Sequence, residues 1–337
     1  MSVPKIYTLS NGVQMPSVGL GTYRVRDQAT LDTCILEALR SGYRLIDTAT
    51  VYKNEAAIGN SLKRIFEQNL IPGLTRQDIF LTSKLAPKDQ GYDACYQAVT
   101  DSLRNLQVDY IDLYLIHWPG TAKLKLPDPQ NAINRMESWR ALEDLYHVKK
   151  LRAIGVSNYT LTHLAQLIER PHNSHAPHHP HDSTTTATGA APLARTMVIP
   201  HVHQFEMHPR LFQKPLVDYC QHHRIQVQAY SSLGESRLVS LTPPLPPAMD
   251  SNYNTAPLPG ALDIMPGLIR KYFAHVMRTS TTAQLSPEEE TEEYPKRAAQ
   301  ILLRWGLQHG AVDMAALDAY SVDSERTRYC WDSTEVC

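Results

Sequence analysis

The sequence predicts an α/β fold, a (β/α)8 barrel with an N-terminal β-hairpin, two long loop insertions and an atypical C-terminal end. Three observations predict it. Apolar, strand-like runs alternate with helix-periodic segments seven times along the chain. The runs have the near-continuous apolar character of strands buried on both faces, as in a parallel sheet covered by helices. The length, 337 residues, exceeds an ordinary domain yet suits a barrel, so the whole chain 1–337 reads as one domain.

The hairpin comes first. "KIYTLSNGVQMPSVGLG" carries two short apolar segments around Asn11-Gly12, a strong turn signal. "SVGLGTY" then reads as the first strand. A helix follows over Asp27 to Ser41, where Leu31, Cys34, Ile35, Ala38 and Leu39 share one face. "RLIDTA" is a strand before a helix from Asn54 to Asn69. "DIFLTSKL" precedes a helix from Tyr92 to Gln107, and "YIDLYLIHW" precedes one from Glu137 to Lys150. "LRAIGVSNY" and a helix from Leu161 to Arg170 come next, then "PHVHQFEMH" with Lys214 to His223. "IQVQAYSSL" is the seventh strand, paired with a helix from Tyr294 to His309.

Two stretches break this rhythm. Residues 171–195 are rich in His, Pro, Ser and Thr, and read as a disordered surface loop; the histidines lack the fixed spacing of a metal-ligand set. Residues 238–262 are a Pro-rich insertion, read as a second disordered loop. The remaining C-terminal segment matches an eighth strand and helix poorly.

Composition narrows the function classes. Formal net charge is −1, which gives no electrostatic pull toward nucleic acid or a membrane surface. No apolar run approaches a membrane span, and the N-terminus lacks a signal-peptide core. The five cysteines are scattered and odd in number, as in a reduced, cytoplasmic protein. No metal site is expected.

In a barrel of this kind the strand C-termini form the catalytic face. Asp47 ends the second strand, Tyr52 follows in its loop, Lys84 ends the third strand and His117 the fourth. Taken singly, Asp47 also reads as a helix cap, Lys84 as a solvated cation and His117 as a rim residue. At equivalent positions on successive strands, chance is a poor explanation for all of them. Glu55 is expected to open a helix near its positive end.

The motifs resemble those of the aldo-keto reductases. "GYRLIDTATVYKNEAAIG" matches that family's first signature, and "AIGVSNY" its second. "TSKL", "LIHWP", "QFEMHP" and "AYSSLG" follow in the family's order. The resemblance runs from the first strand to Gly310, apart from the insertions. It implies reduction of aldehydes, ketones or open-chain sugars by hydride from NADP(H). Tyr52 would donate the proton, with Lys84 lowering its pKa, Asp47 holding Lys84, and His117 orienting the carbonyl. Ser157, Asn158 and Gln204 would bind the carboxamide, and Tyr230 would stack on the nicotinamide. Ser231 and Leu233 would contact the pyrophosphate; Thr22, Tyr23 and Asp47 complete the cofactor set. Tyr23, Val51, His117 and Trp118 would line the substrate pocket. Family members are monomers or dimers, so a monomer or weak dimer is expected.

The family's eighth strand ends in an Ile-Pro-Lys-Ser-like segment with an Arg beyond it, which grips the 2′-phosphate of NADP. Here "AYSVDSER" places Ser321 and Arg326 on the Ser and Arg positions, with Tyr320 replacing the Lys. Asp313, Asp318, Asp323 and Glu235 add negative charge nearby. Carboxylates close to that phosphate would cost on the order of 1–4 kcal/mol. The alternative reading is a catalytically inactive barrel serving as a binding or regulatory subunit.

Overall fold

A computed structural model describes residues 6–125, 127–169, 197–209, 211–233, 301–303 and 306. These fall into two compact units. The larger takes in Pro4–Gln204 and Pro215–Gln228; the smaller takes in Phe205–Lys214 and the described residues from Ala229 onward.

The larger unit opens with the expected hairpin. Strands β1 (Ile6–Thr8) and β2 (Gln14–Pro16) pair antiparallel, Tyr7 opposite Met15. Gly12 turns the chain at φ +86, a conformation only glycine adopts without strain. Then come β3 (Gly19–Gly21), α1 (Gln28–Arg40), β4 (Leu45–Asp47), α2 (Glu55–Glu67) and β5 (Phe80–Leu85). They are followed by α3 (Tyr92–Leu106), β6 (Ile111–Ile116), α4 (Gln130–His147), β7 (Leu151–Ser157) and α5 (Leu161–Ile168). The series ends with β8 (Val202–Glu206), α6 (Lys214–His222) and β9 (Gln226–Tyr230).

Strands β3 to β8 pair in parallel, each with the next in sequence. Gln226 N donates to His201 O at 2.9 Å beside β8, and β9 completes the seven-strand order. Strand order never reverses, which is the order of a (β/α)8 barrel rather than of a doubly wound sheet. Strands β5 and β6 are buried at every residue, as their apolar runs require. The eighth strand–helix unit and both insertions lie outside the described residues.

Helix α1 starts where Asp27 accepts from Thr30 N at 2.7 Å. Helix α4 departs from expectation: it begins at Gln130, not Glu137. Its first turns bury Asn131 and Arg135 instead of apolar residues, so hydrophobic spacing could not reveal them. At the strand N-termini, Leu9 and Met15 of the hairpin pack with Leu45, Phe80, Leu113 and Val202. Asn11 Nδ2 ties the hairpin turn to Arg152 O at 2.9 Å.

In the smaller unit, His208 Nε2 lies 3.3 Å from Glu206 Oε1, and Met207 N donates to Tyr230 O at 3.3 Å.

Candidate active site

The site is built at the C-terminal strand ends of the larger unit. Asp47 closes β4 and Lys84 is the penultimate residue of β5. Parallel pairing of those strands brings Lys84 Nζ to Asp47 Oδ1 at 2.5 Å and to Thr48 O at 2.8 Å. Gln204, from the pairing end of β8, donates through Nε2 to Asp47 Oδ2 at 2.8 Å. Both oxygens of the Asp47 carboxylate are thereby engaged, and the ammonium is 1% exposed.

Tyr52 is held by a single 3-10 turn, Thr50–Tyr52, which Lys53 ends in the left-handed region at φ 57. The turn is pinned at both sides. Thr50 Oγ1 donates to Lys84 O at 3.0 Å. Asn54, 1% exposed, donates through Nδ2 to Thr22 O and Val25 O and accepts from Thr48 Oγ1 at 2.6 Å. Lys84 Nζ lies 5.0 Å from the centroid of the Tyr52 ring. The Tyr52 ring also meets Tyr23 at 5.1 Å and His117 edge-on at 5.8 Å, and His117 stacks with Trp118 at 6.2 Å.

The Lys84 ammonium pulls the Tyr52 pKa down as expected, but it does not set the net shift. Burial raises the Tyr52 pKa, and this outweighs the opposing pull of the Lys84 ammonium, so the phenol stands above its ordinary value rather than below it. Burial also works against the Lys84 charge, but Asp47 and Tyr52 together carry its pKa above the usual value. His117 is driven well below the ordinary imidazole range, by burial first and then by Lys84. It is therefore neutral near pH 7. Its Nδ1 is buried without a partner. With the ring neutral, a proton on Nε2 spares Nδ1 a buried donor without a partner.

Next to the tetrad lie the buried side chains of Ser157, Asn158 and Gln204. Ser157 pairs in register with Gln204, and Asn158 N donates to Gln204 O at 2.9 Å. Asn158 takes φ +61 and donates through Nδ2 to His117 O and to Ser157 Oγ. The Gln204 amide nitrogen is committed to Asp47, which leaves its carbonyl to accept; the Ser157 oxygen already accepts, which leaves its hydroxyl to donate. One donor and one acceptor side by side fit a primary carboxamide such as that of nicotinamide.

Thr22 serves the framework: its N and Oγ1 donate to Asp47 O at 3.0 and 2.9 Å. Tyr23 and Val51 are exposed, at 56% and 38%, and only Tyr23 has a described ring contact with Tyr52. Glu55 begins α2 as expected, yet its side chain is buried and accepts from Ser83 Oγ at 2.6 Å. Tyr230, Ser231 and Leu233 belong to the smaller unit. Ser321 and Arg326 lie outside the described residues. Sequence reasoning missed Asn54 and Thr48, whose only signal was their place inside the loop that carries Tyr52.

The aldo/keto reductase family model matches residues 17–324. A glyoxal reductase of Bacillus subtilis is 34% identical over 304 residues, 90% of this chain and 79% of that protein. A 9,11-endoperoxide prostaglandin H2 reductase of Trypanosoma cruzi is 30% identical over 90% of this chain and 78% of its own length. A crystal structure of a Bombyx mori aldo-keto reductase in complex with NADP superposes with a TM-score of 0.66 at 25% identity, covering 99% of this chain and 97% of that one. Sequence motifs, strand order and a family match across most of its length lead to one assignment: the chain belongs to the aldo/keto reductase family.

Proposed function

We propose that this protein reduces small aldehydes and ketones to alcohols with NADPH, and that Tyr52 is the proton donor. The observation that carries the reading is a wholly buried Lys84 held between Asp47 and Tyr52. NADPH, when bound, supplies the hydride. Ser157 and Gln204 bind its carboxamide, with Asn158 orienting Ser157. His117 donates from Nε2 to the substrate carbonyl oxygen and fixes its direction. Electron density moves onto that oxygen as the carbonyl carbon is reduced, and the Tyr52 O–H transfers its proton there. The Tyr52 oxygen then carries the negative charge, which the Lys84 ammonium stabilises. Asp47 keeps the ammonium in place and charged.

Burial keeps the Tyr52 phenol protonated at neutral pH but makes it a weaker acid, and the Lys84 ammonium is the group that favours release of its proton. The glyoxal reductase relative supports small aldehydes as the substrate class. Ser321 and Arg326 are proposed to hold the 2′-phosphate, and Tyr230, Ser231 and Leu233 the nicotinamide face and pyrophosphate. Tyr23, Val51 and Trp118 are proposed to line the pocket, with Thr22 and Tyr23 beside the cofactor. The enzyme is proposed to be a single catalytic domain and a cytoplasmic monomer or weak dimer. Among the described residues no helix is long and apolar enough to cross a membrane. The binding-only alternative draws no support from the described residues, since every member of the tetrad is in place.

Replacing Tyr52 by Phe tests the proposal. Turnover of glyoxal should fall by roughly 10²–10⁴-fold, while NADPH binding, read by fluorescence titration, stays intact. Turnover at the wild-type rate would overturn the assignment of Tyr52.

A further inference from the structure

Away from the tetrad, the larger unit holds a cavity of about 390 Å3 lined from α4 and α5. That volume falls within the range of small-molecule sites. Its walls include Arg135, Met136, Tyr159, His163, Leu167 and Glu169. Arg135 is 7% exposed. It donates to Pro119 O at 3.1 Å and to Gln166 Oε1 at 3.2 Å, both neutral acceptors. Among the described residues no carboxylate lies within ion-pair distance of it. An arginine cannot escape this by losing its proton. A guanidinium so deeply buried, with its charge unmatched among the described residues, is costly unless an anion joins it.

The rest of the wall is consistent with an anion there. Burial and then the Arg135 charge push the His163 pKa down to about 4, so the ring is neutral at pH 7. Its Nδ1 accepts from Thr160 N at 3.3 Å, which places the ring proton on Nε2 as a second donor. The Tyr159 hydroxyl is buried and has no partner. Met136 and Leu167 supply apolar surface. Glu169, on the same wall, opposes any anion there and a dianion more strongly than a monoanion.

We propose that this cavity binds a small organic carboxylate, its charge paired with Arg135 and its apolar body against Met136 and Leu167. The planar, bidentate geometry of a carboxylate matches a guanidinium. Glu169 selects a singly charged group over a phosphate dianion. The site shares no residue with the tetrad and stands independently of the proposed reductase chemistry.

Benzoate is the probe, with inorganic phosphate as the control, each titrated into the full chain by calorimetry. In buffer alkaline enough to hold phosphate as the dianion, benzoate should bind saturably and phosphate at equal concentration should not. Arg135→Gln should weaken benzoate binding at least about tenfold, a loss of one ordinary charged contact or more. Ala132→Phe, at an exposed position on the cavity's wall, should weaken it similarly by filling the space, and it tests the site even if Arg135→Gln does not fold. Benzoate binding that Ala132→Phe leaves intact would be binding elsewhere and would overturn the proposal. So would phosphate binding as tightly as benzoate, or no saturable benzoate binding at all.

Discussion

Two carboxylates lie at opposite ends of the same parallel sheet, Asp112 buried and Asp47 partly exposed, and each is held by basic side chains. At the N-terminal end of β6, Asp112 accepts from Arg76 Nη2 and Arg152 Nη1 at 2.8 Å each, and from Leu81 N at 3.0 Å. Both arginines reach solvent, at 18% and 43% exposure, and both lie over the Tyr110 ring. At the other end, Asp47 meets a single lysine that is 1% exposed and borders a phenol. Arginine is permanently charged and fork-shaped, so the Asp112 cluster serves to fasten strands. Lysine is a point charge whose energy depends on its surroundings. Buried against Tyr52, it links the charge state of one side chain to that of the other. The same pairing therefore acts as a fastening at one end and as a tuning device at the other.

The sharpest test removes the tuning cation. Lys84→Met leaves Asp47 with Gln204 alone. It should cost roughly 3–5 kcal/mol of stability and reduce turnover by about 10²–10⁴-fold, measured by urea unfolding and by glyoxal reduction. Asp112→Asn should cost roughly 1.5–3 kcal/mol and leave kcat unchanged. A large fall in kcat there would break the distinction between the two ends.

Acid sharpens it further. His201, at the N-terminal end of β8, is held by burial at a pKa of about 4, and His203 at about 3. Unfolded histidine titrates near 6.5, so below that pH the unfolded chain takes up protons that the folded one refuses. Their stabilisation is complete above about pH 6.5 and is lost as pH falls toward those folded values, by about 1.4 kcal/mol per pH unit for each ring. Thermal melts between pH 7 and 5 read this directly. Over the same interval kcat should show no titration of His117, whose pKa lies well below the ordinary range, or of Tyr52, whose pKa lies above it. The smallest effect concerns the hairpin tether. Asn11→Ala should cost about 0.5–1.5 kcal/mol by chemical denaturation, with turnover untouched.

Most of the strand and helix pattern was legible because the apolar periods are clean. β5 and β6 are rich in apolar residues and buried at every position, and α1 buries Leu31, Ile35 and Leu39 on one face. The start of α4 was not, since its buried face opens with Asn131 and Arg135. Lys84, Asp47, Tyr52, His117 and Gln204 could be nominated from strand-end position and resemblance. The Tyr52 shift could not: its sign depends on how much water the fold excludes, which no motif records. Nor could the Arg135 cavity, whose residues are separated in sequence and polar in a helix that looks solvated.

The hairpin sets an order of events during synthesis. Leu9 and Met15 leave the ribosome first, yet their partner Val202 emerges some 190 residues later. At about 5–20 residues per second that is roughly ten seconds or more in which the plug of the sheet has no complete socket. A chaperone that shields the hairpin would find its work concentrated in that interval, and release would be timed by the arrival of β8.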